Sequence, residues 1–266
     1  MRFFDAHCHL DHPAFDADRA ALLARLRPRL SGLVIAGYDP AHFDRVVSLC
    51  DGQFVFGALG LHPHHLGDSR AALDARLAAL DRALASRPRG LVAVGECGFD
   101  RNASPAARQL ASAALAAQIG LAKAHRLGLV LHLVGGVDEA TKLLKTNDFS
   151  RAMVHRYSGS LAQAERLFAL GAVLSFGAEV LRPEAERLRA VLRVAPRGQY
   201  ALESDAPFNV PRREAGPSDP GVVLELAQAA ATVRGSTLAT VARETRESAR
   251  RVFGLCEDGD PEAPRV

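Results

Sequence analysis

Eight times along this chain a short run rich in Val, Ile, Leu and Phe gives way to a longer Ala-, Leu- and Arg-rich segment whose apolar residues recur at helical spacing. No other feature restricts the fold as much. Strand-crossover-strand connections are right-handed, and eight parallel strands close into a cylinder filled by their own side chains. The pattern predicts strands over about residues 2 to 9, 32 to 37, 53 to 61, 90 to 96, 128 to 133, 152 to 156, 172 to 177 and 199 to 204. Helices are predicted over about 17 to 30, 40 to 50, 69 to 87, 104 to 126, 137 to 146, 160 to 170, 184 to 193 and 219 to 233, with an extra one over about 236 to 253. Capping residues at Asp39-Pro40, Ser104-Pro105 and Ser218-Asp219 mark helix starts, and Gly128 and Gly171 mark ends. The expected fold class is α/β, a single (β/α)8 TIM-type barrel with an extra C-terminal helix; a doubly wound open sheet is the rival. A length of 266 residues, 48% of them apolar, suits one barrel domain over 1–256. The acidic, Pro-containing stretch over 257–266 is expected to be a short disordered tail.

Charge and cysteine usage narrow the class further. The net charge is +3, and only three of the 33 basic residues are lysines (Lys123, Lys142, Lys145); the arginines are scattered, which is a weak footprint for nucleic acid. Cys8, Cys50, Cys97 and Cys256 lie far apart with no C-x-x-C pair, which argues against a thiolate zinc site and a disulfide framework and fits a reducing cytoplasm. Asp5, His7 and His9 stand where a signal peptide needs an unbroken apolar run, and the uncharged stretch over 109–122 is too short to span a bilayer. A cytoplasmic protein without membrane contact is expected, with a monomer favoured.

Buried parallel strands should be continuously apolar, so polar residues at their ends need a reason. They recur at one place in the unit. Asp5-Ala6-His7-Cys8-His9 closes the first strand, Gly60-Leu61-His62-Pro63 follows the third, Gly95-Glu96 ends the fourth and Leu131-His132 the fifth. Val154-His155 ends the sixth and Leu202-Glu203-Ser204-Asp205 the eighth. In a barrel all of these gather on the carboxyl rim, where barrel active sites lie. His7 and His9 are two apart on a strand, so their imidazoles project to one side and can grip one cation. With Glu96, His132, His155 and Asp205 the set offers four imidazoles and two carboxylates, enough for two divalent ions if one carboxylate bridges them at the roughly 3.5–4 Å spacing of two-metal hydrolases. Nitrogen and oxygen donors without thiolate suit Zn, Mn, Fe or Co, with Mg less natural on imidazole. A lone H-x-H or strand-end carboxylate is more often simply hydrogen-bonded. Six on one rim favour metal.

The motifs D-A-H-C-H-L over 5–10, G-L-H-P over 60–63, G-E-C-G-F-D over 95–100, His132, V-H-R-Y-S-G over 154–159 and L-E-S-D-A-P over 202–207 resemble the signatures of TatD-family metal-dependent deoxyribonucleases of the amidohydrolase superfamily. The likeness runs from residue 2 to about 253. It implies an α/β barrel in which His7, His9, Glu96 and Asp205 hold one ion and Glu96, His132 and His155 the other, with Glu96 bridging. It also implies two divalent ions (Zn, Mg or Mn), contact of His62 with the substrate phosphate, and DNA, single-stranded or at its 3′ ends, as substrate. Two departures stand out. The family usually carries a small polar residue and then Arg after the fifth-strand histidine, whereas Leu133 and Val134 follow His132 here. Arg156 stands where Cys or Gly is usual, and Arg101 follows G-F-D where aromatic residues are common; both are candidate substrate-binding cations, with Arg212 and Arg213 further ones.

The expected chemistry is metal-assisted phosphodiester hydrolysis, with Asp205 orienting the attacking water and accepting its proton and Glu96 catalytic as the bridge. The first rival is hydrolysis of a small amide, ester or lactone, which many related barrels perform with a carboxylated lysine; none of the three lysines falls at a strand end. The second is a non-catalytic binding barrel, which an intact donor set disfavours. His12, His64 and His65 read as loop residues near the rim, His42 and His125 as surface or packing residues, and Cys8 as a packing residue facing away from His7 and His9.

Overall fold

The computed structural model describes residues 1–210 and 218–255, so Arg212, Arg213 and the expected tail over 257–266 lie outside the described residues. Its strands are β1 (Phe3–Cys8), β2 (Leu30–Gly37), β3 (Val55–Leu59), β4 (Leu91–Asp100), β5 (Gly128–Val134), β6 (Ala152–His155), β7 (Val173–Phe176) and β8 (Tyr200–Leu202). They form one sheet in sequence order, every neighbouring pair parallel. Between them run α1 (Arg19–Leu26), α2 (Phe43–Leu49), α3 (Arg70–Ala85), α4 (Pro105–Ala124), α5 (Val137–Thr146), α6 (Leu161–Ala169) and α7 (Glu186–Val194), followed by α8 (Val223–Arg234) and α9 (Leu238–Phe253). This is the expected (β/α)8 barrel with one additional helix.

The seam between β8 and β1 is drawn together at the carboxyl end. The Asp205 amide donates to the His7 carbonyl at 2.9 Å and the His9 amide to the Ala206 carbonyl at 2.8 Å. Asp5 adds a carboxylate that accepts from the Ser204 amide at 2.9 Å and the Ser204 hydroxyl at 2.5 Å. Burial pushes the Asp5 carboxyl up to about 8 despite these donors.

Two layers of core account for the rest. Strand faces and inward helix faces make the large outer cluster, while Phe4, Ala6, Val34, Phe56, Val92, Val130, Met153, Val173 and Ala201 fill the cylinder itself. α9 closes its amino end: Val252 and Phe253 join the interior layer, with the Phe253 ring 6.3 Å from that of Phe4. Gly128 permits this contact, because a Cβ there would lie 2.5 Å from the Val252 carbonyl oxygen. One end of the barrel is thus plugged by apolar side chains, and the polar residues are left to the other.

Several boundaries move by a few residues, α1 ending at Leu26 and β2 beginning at Leu30 among them, and one shift bears on the polar end. Strand β4 does not end at Glu96 but pairs with β5 as far as Asp100 opposite Val134. The polar Glu96 looks like a strand end because buried strands are read as apolar, yet the register shifts between Val94 and Cys97 and the strand then resumes.

Candidate metal centre

The same device operates twice. Ala6 belongs to the barrel interior, so strict alternation along β1 would send His7 outward to the helices. The β1–β2 register breaks between Asp5 and Cys8, and an irregularity of this kind re-aims side chains. His7 and His9 therefore both face the mouth, with their Nε2 atoms 3.3 Å apart. Cys8, between them, turns away and donates its thiol to the Val34 carbonyl, as expected of a packing residue. On β4 the shift at Gly95–Glu96 does the same for Glu96. Gly60 makes the close approach possible, since a Cβ at that position would meet the Gly95 backbone at 2.6 Å.

The six donors expected from sequence converge. Glu96 Oε1 lies 3.6 Å from His7 Nε2 and 3.4 Å from His9 Nε2, and its Oε2 lies 3.0 Å from His155 Nε2 and 3.2 Å from His132 Nδ1. Asp205 Oδ1 completes the first group at 3.7 Å from His7 and 3.4 Å from His9. His132 Nδ1 and His155 Nε2 are 3.2 Å apart. Each carboxylate oxygen of Glu96 thus belongs to one pair of imidazoles. Except for His132, which is half-buried, these residues are buried. Crowding imidazole lone pairs and carboxylates together away from water is unfavourable unless positive charge is shared among them, and nitrogen and oxygen donors at this mutual spacing fit divalent cations.

The electrostatics agree. Burial alone would raise the Glu96 carboxyl, but His155, His7 and His132 hold it well below the usual carboxylate range. Asp205, likewise pushed up by burial, is brought down to about 2 by His9, His155 and His7. Both oxyanions are kept ionised.

Three acids around the donors went unrecognised in the sequence. Glu203 Oε1 faces His155 Nδ1 at 3.2 Å, and Asp100 Oδ2 faces His132 Nε2 at 3.2 Å and His64 Nε2 at 3.0 Å. Both fix a ring by the nitrogen that points away from Glu96. Glu179 grips Nε of Arg156, and its other oxygen accepts from Asn209 Nδ2 at 2.7 Å. Asp100 and Glu203 belong to the quoted motifs, so a polar residue inside an otherwise apolar strand end was the available signal; nothing in the sequence pointed to Glu179.

A cavity of about 240 Å³ opens above the donors, bounded by His62, Arg156, Tyr38, His64 and Phe208. Arg156 and Asp205 both adopt left-handed backbone, φ 48° and 49°, which non-glycine residues take at a cost. Arg156 reaches Asp205 Oδ2 with Nη1 at 3.3 Å. His62 caps the turn that follows it: its Nδ1 accepts the His64 amide at 3.1 Å, which leaves the ring proton on Nε2. Burial lowers the His62 imidazole to about 3, so the ring stays neutral. Arg101 does not line this cavity; it borders a neighbouring hollow beside Phe99, because β4 runs on through Asp100 and carries it past the donors.

The family described as TatD related DNase matches residues 4–254. The uncharacterized metal-dependent hydrolase YjjV of Escherichia coli K12 is 36% identical over 209 residues, covering 77% of this chain and 80% of its own. The 3′-5′ ssDNA/RNA exonuclease TatD of a Rahnella species is 32% identical over 267 residues, covering 95% and 98%. The crystal structure of YjjV, a TatD homologue from Escherichia coli, superposes with a TM-score of 0.88 at 30% identity, covering 96% of this chain and 99% of that one.

Proposed function

The chain belongs to the TatD family of metal-dependent hydrolases, and from that premise we propose that it hydrolyses phosphodiester bonds in single-stranded nucleic acid with two divalent cations at the barrel mouth. The observation that carries this reading is Glu96, whose two oxygens are each shared by one pair of imidazoles. His7, His9, Glu96 and Asp205 would hold one ion, and Glu96, His132 and His155 the other. When bound, the cations supply a water acidic enough to lose its proton near neutral pH and positive charge beside the phosphoryl oxygens.

The chain's own groups do the rest. Asp205 turns Oδ1 toward His7 and His9, which leaves Oδ2 to orient the attacking water and take its proton. His62, neutral and protonated at Nε2, donates to a non-bridging phosphate oxygen. Arg156 supplies the fixed cation that Leu133 and Val134 do not, and its anchor on Glu179 holds the guanidinium at the cavity wall. Those cationic and neutral donors, and the single-stranded DNA and RNA named for the Rahnella relative, support the nucleic-acid substrate. Lys123 lies on α4 and Lys142 and Lys145 on α5, away from the donors, which disfavours the carboxylated-lysine amide hydrolases. No described helix is long and apolar enough to cross a membrane.

The deciding experiment is hydrolysis of single-stranded DNA and RNA by the purified chain, with EDTA and then Mn²⁺ or Mg²⁺. The expected result is loss with the chelator and recovery with the cation; chelator-insensitive cleavage, or none with any cation, would overturn the reading.

A further inference from the structure

A second hollow, of about 190 Å³, lies directly beside the cavity. Phe99, Pro63, Ala107 and Val134 make its apolar walls, and Arg101 and Arg108 stand at its edge. Asp100 lines it while receiving His64 and His132 with Oδ2, so this carboxylate and Pro63 separate it from the metal donors. Gly136, at φ 65°, lets the Phe99 ring lie against the β5–α5 turn; a Cβ there would come within 2.5 Å of the ring. The ring is only half-buried. The Arg101 backbone is pinned from both sides, its amide donating to the Val134 carbonyl at 2.9 Å and its carbonyl accepting Arg108 Nη1 at 2.8 Å. Its side chain is exposed and also borders a hollow of about 720 Å³ that reaches Arg187.

At 190 Å³ the Phe99 hollow is smaller than the roughly 300–1,000 Å³ that takes a drug-sized ligand, so it has room for one flat ring system. An aromatic face with guanidinium groups beside it is what an unpaired nucleobase and its phosphate require. We propose that the hollow is a nucleobase subsite: the base of a nucleotide next to the scissile phosphodiester stacks on Phe99, and Arg101 takes the adjoining phosphate. The inference rests on the nucleic-acid substrate argued above and deepens it. A base still paired in a duplex cannot enter, so the subsite selects single strands. It also gives Arg101 a role one nucleotide removed from the reacting phosphate.

The test uses the full chain with Mn²⁺ and single-stranded octamers carrying phosphorothioate linkages, with 2-aminopurine at one position near the 3′ end in each. The chain has no Trp, so the probe is read without background. Quenching is expected at one position, lost in Phe99→Leu and retained in Phe99→Tyr. On ordinary single-stranded DNA, Phe99→Leu should raise KM about tenfold, while hydrolysis of methyl p-nitrophenyl phosphate, which has no base, is unchanged. Equal quenching at all positions, quenching that survives Phe99→Leu, or equal loss on both substrates would overturn the subsite. A wild-type chain that neither cleaves nor quenches any oligonucleotide overturns the substrate reading and the subsite together; cleavage without position-specific quenching overturns the subsite alone.

Discussion

Arg156 holds Nη1 3.3 Å from Oδ2 of Asp205, with its own Nε gripped by Glu179. A cation is thereby placed against the oxygen assigned to receive the proton of water, at a position reached through strained left-handed backbone. Removing it should act on binding of the anionic substrate first. Arg156→Ala is expected to raise KM for single-stranded DNA by about ten- to a hundredfold, in keeping with about 1.5–3 kcal/mol for a charge-assisted hydrogen bond, with a smaller change in kcat. Glu179→Gln should shift KM in the same direction by less. Steady-state kinetics on both variants check this, and a normal KM in Arg156→Ala would remove the arginine from substrate binding.

Asp205 is expected to matter for turnover more than for metal. Asp205→Asn keeps an oxygen facing His7 and His9 but cannot take a proton, so kcat should fall by about 10²–10⁴ while the metal content is retained. Elemental analysis beside single-turnover rates separates the two, and near-normal turnover would end the general-base role.

The acids behind the imidazoles should tune affinity. Asp100→Asn and Glu203→Gln each weaken the acceptor that orients a ring, and the loss expected is about 10–100-fold in metal affinity. Competition against a chromophoric chelator measures it. Unchanged affinity in both would mean that the rings are held by packing alone.

Away from the mouth, Asp51 stabilises the turn before β3. Its Oδ1 accepts the amides of Gln53, Phe54 and Val55 at 2.9, 2.7 and 2.8 Å, and Oδ2 accepts Arg27 at 2.7 Å. Burial raises its carboxyl, but the amide donors and Arg27 outweigh that and lower it from 3.8 to about 2. A depressed folded-state value means that the stabilisation is present above about pH 4 and is lost as pH falls through about 2. Asp51→Ala should cost about 1–2 kcal/mol at pH 7, with the difference from the wild type shrinking at pH 3 in urea unfolding. A pH-independent difference would assign the effect to packing.

The barrel and the gathering of six polar side chains at its mouth were legible because both rest on period: apolar runs alternating with helical faces, and polar residues returning at the same point of each unit. What stayed hidden depends on local register. His7 faces the mouth only because β1 breaks step after Asp5, and Glu96 looks like the end of a strand that continues to Asp100. That continuation moves Arg101, next in sequence to a motif residue, out of the cavity and beside Phe99. Glu179 meets Arg156 across 23 residues of chain, a pairing that no local pattern announces.

Glu96 is proposed to tie two cations into one site. Electron paramagnetic resonance of the chain loaded with Mn²⁺, with the metal counted on the same sample, tests it directly. Two ions per chain and the spectrum of an exchange-coupled pair are expected, replaced in Glu96→Ala by uncoupled or lost metal. A single ion per chain, or two that are uncoupled in the wild type, would contradict it.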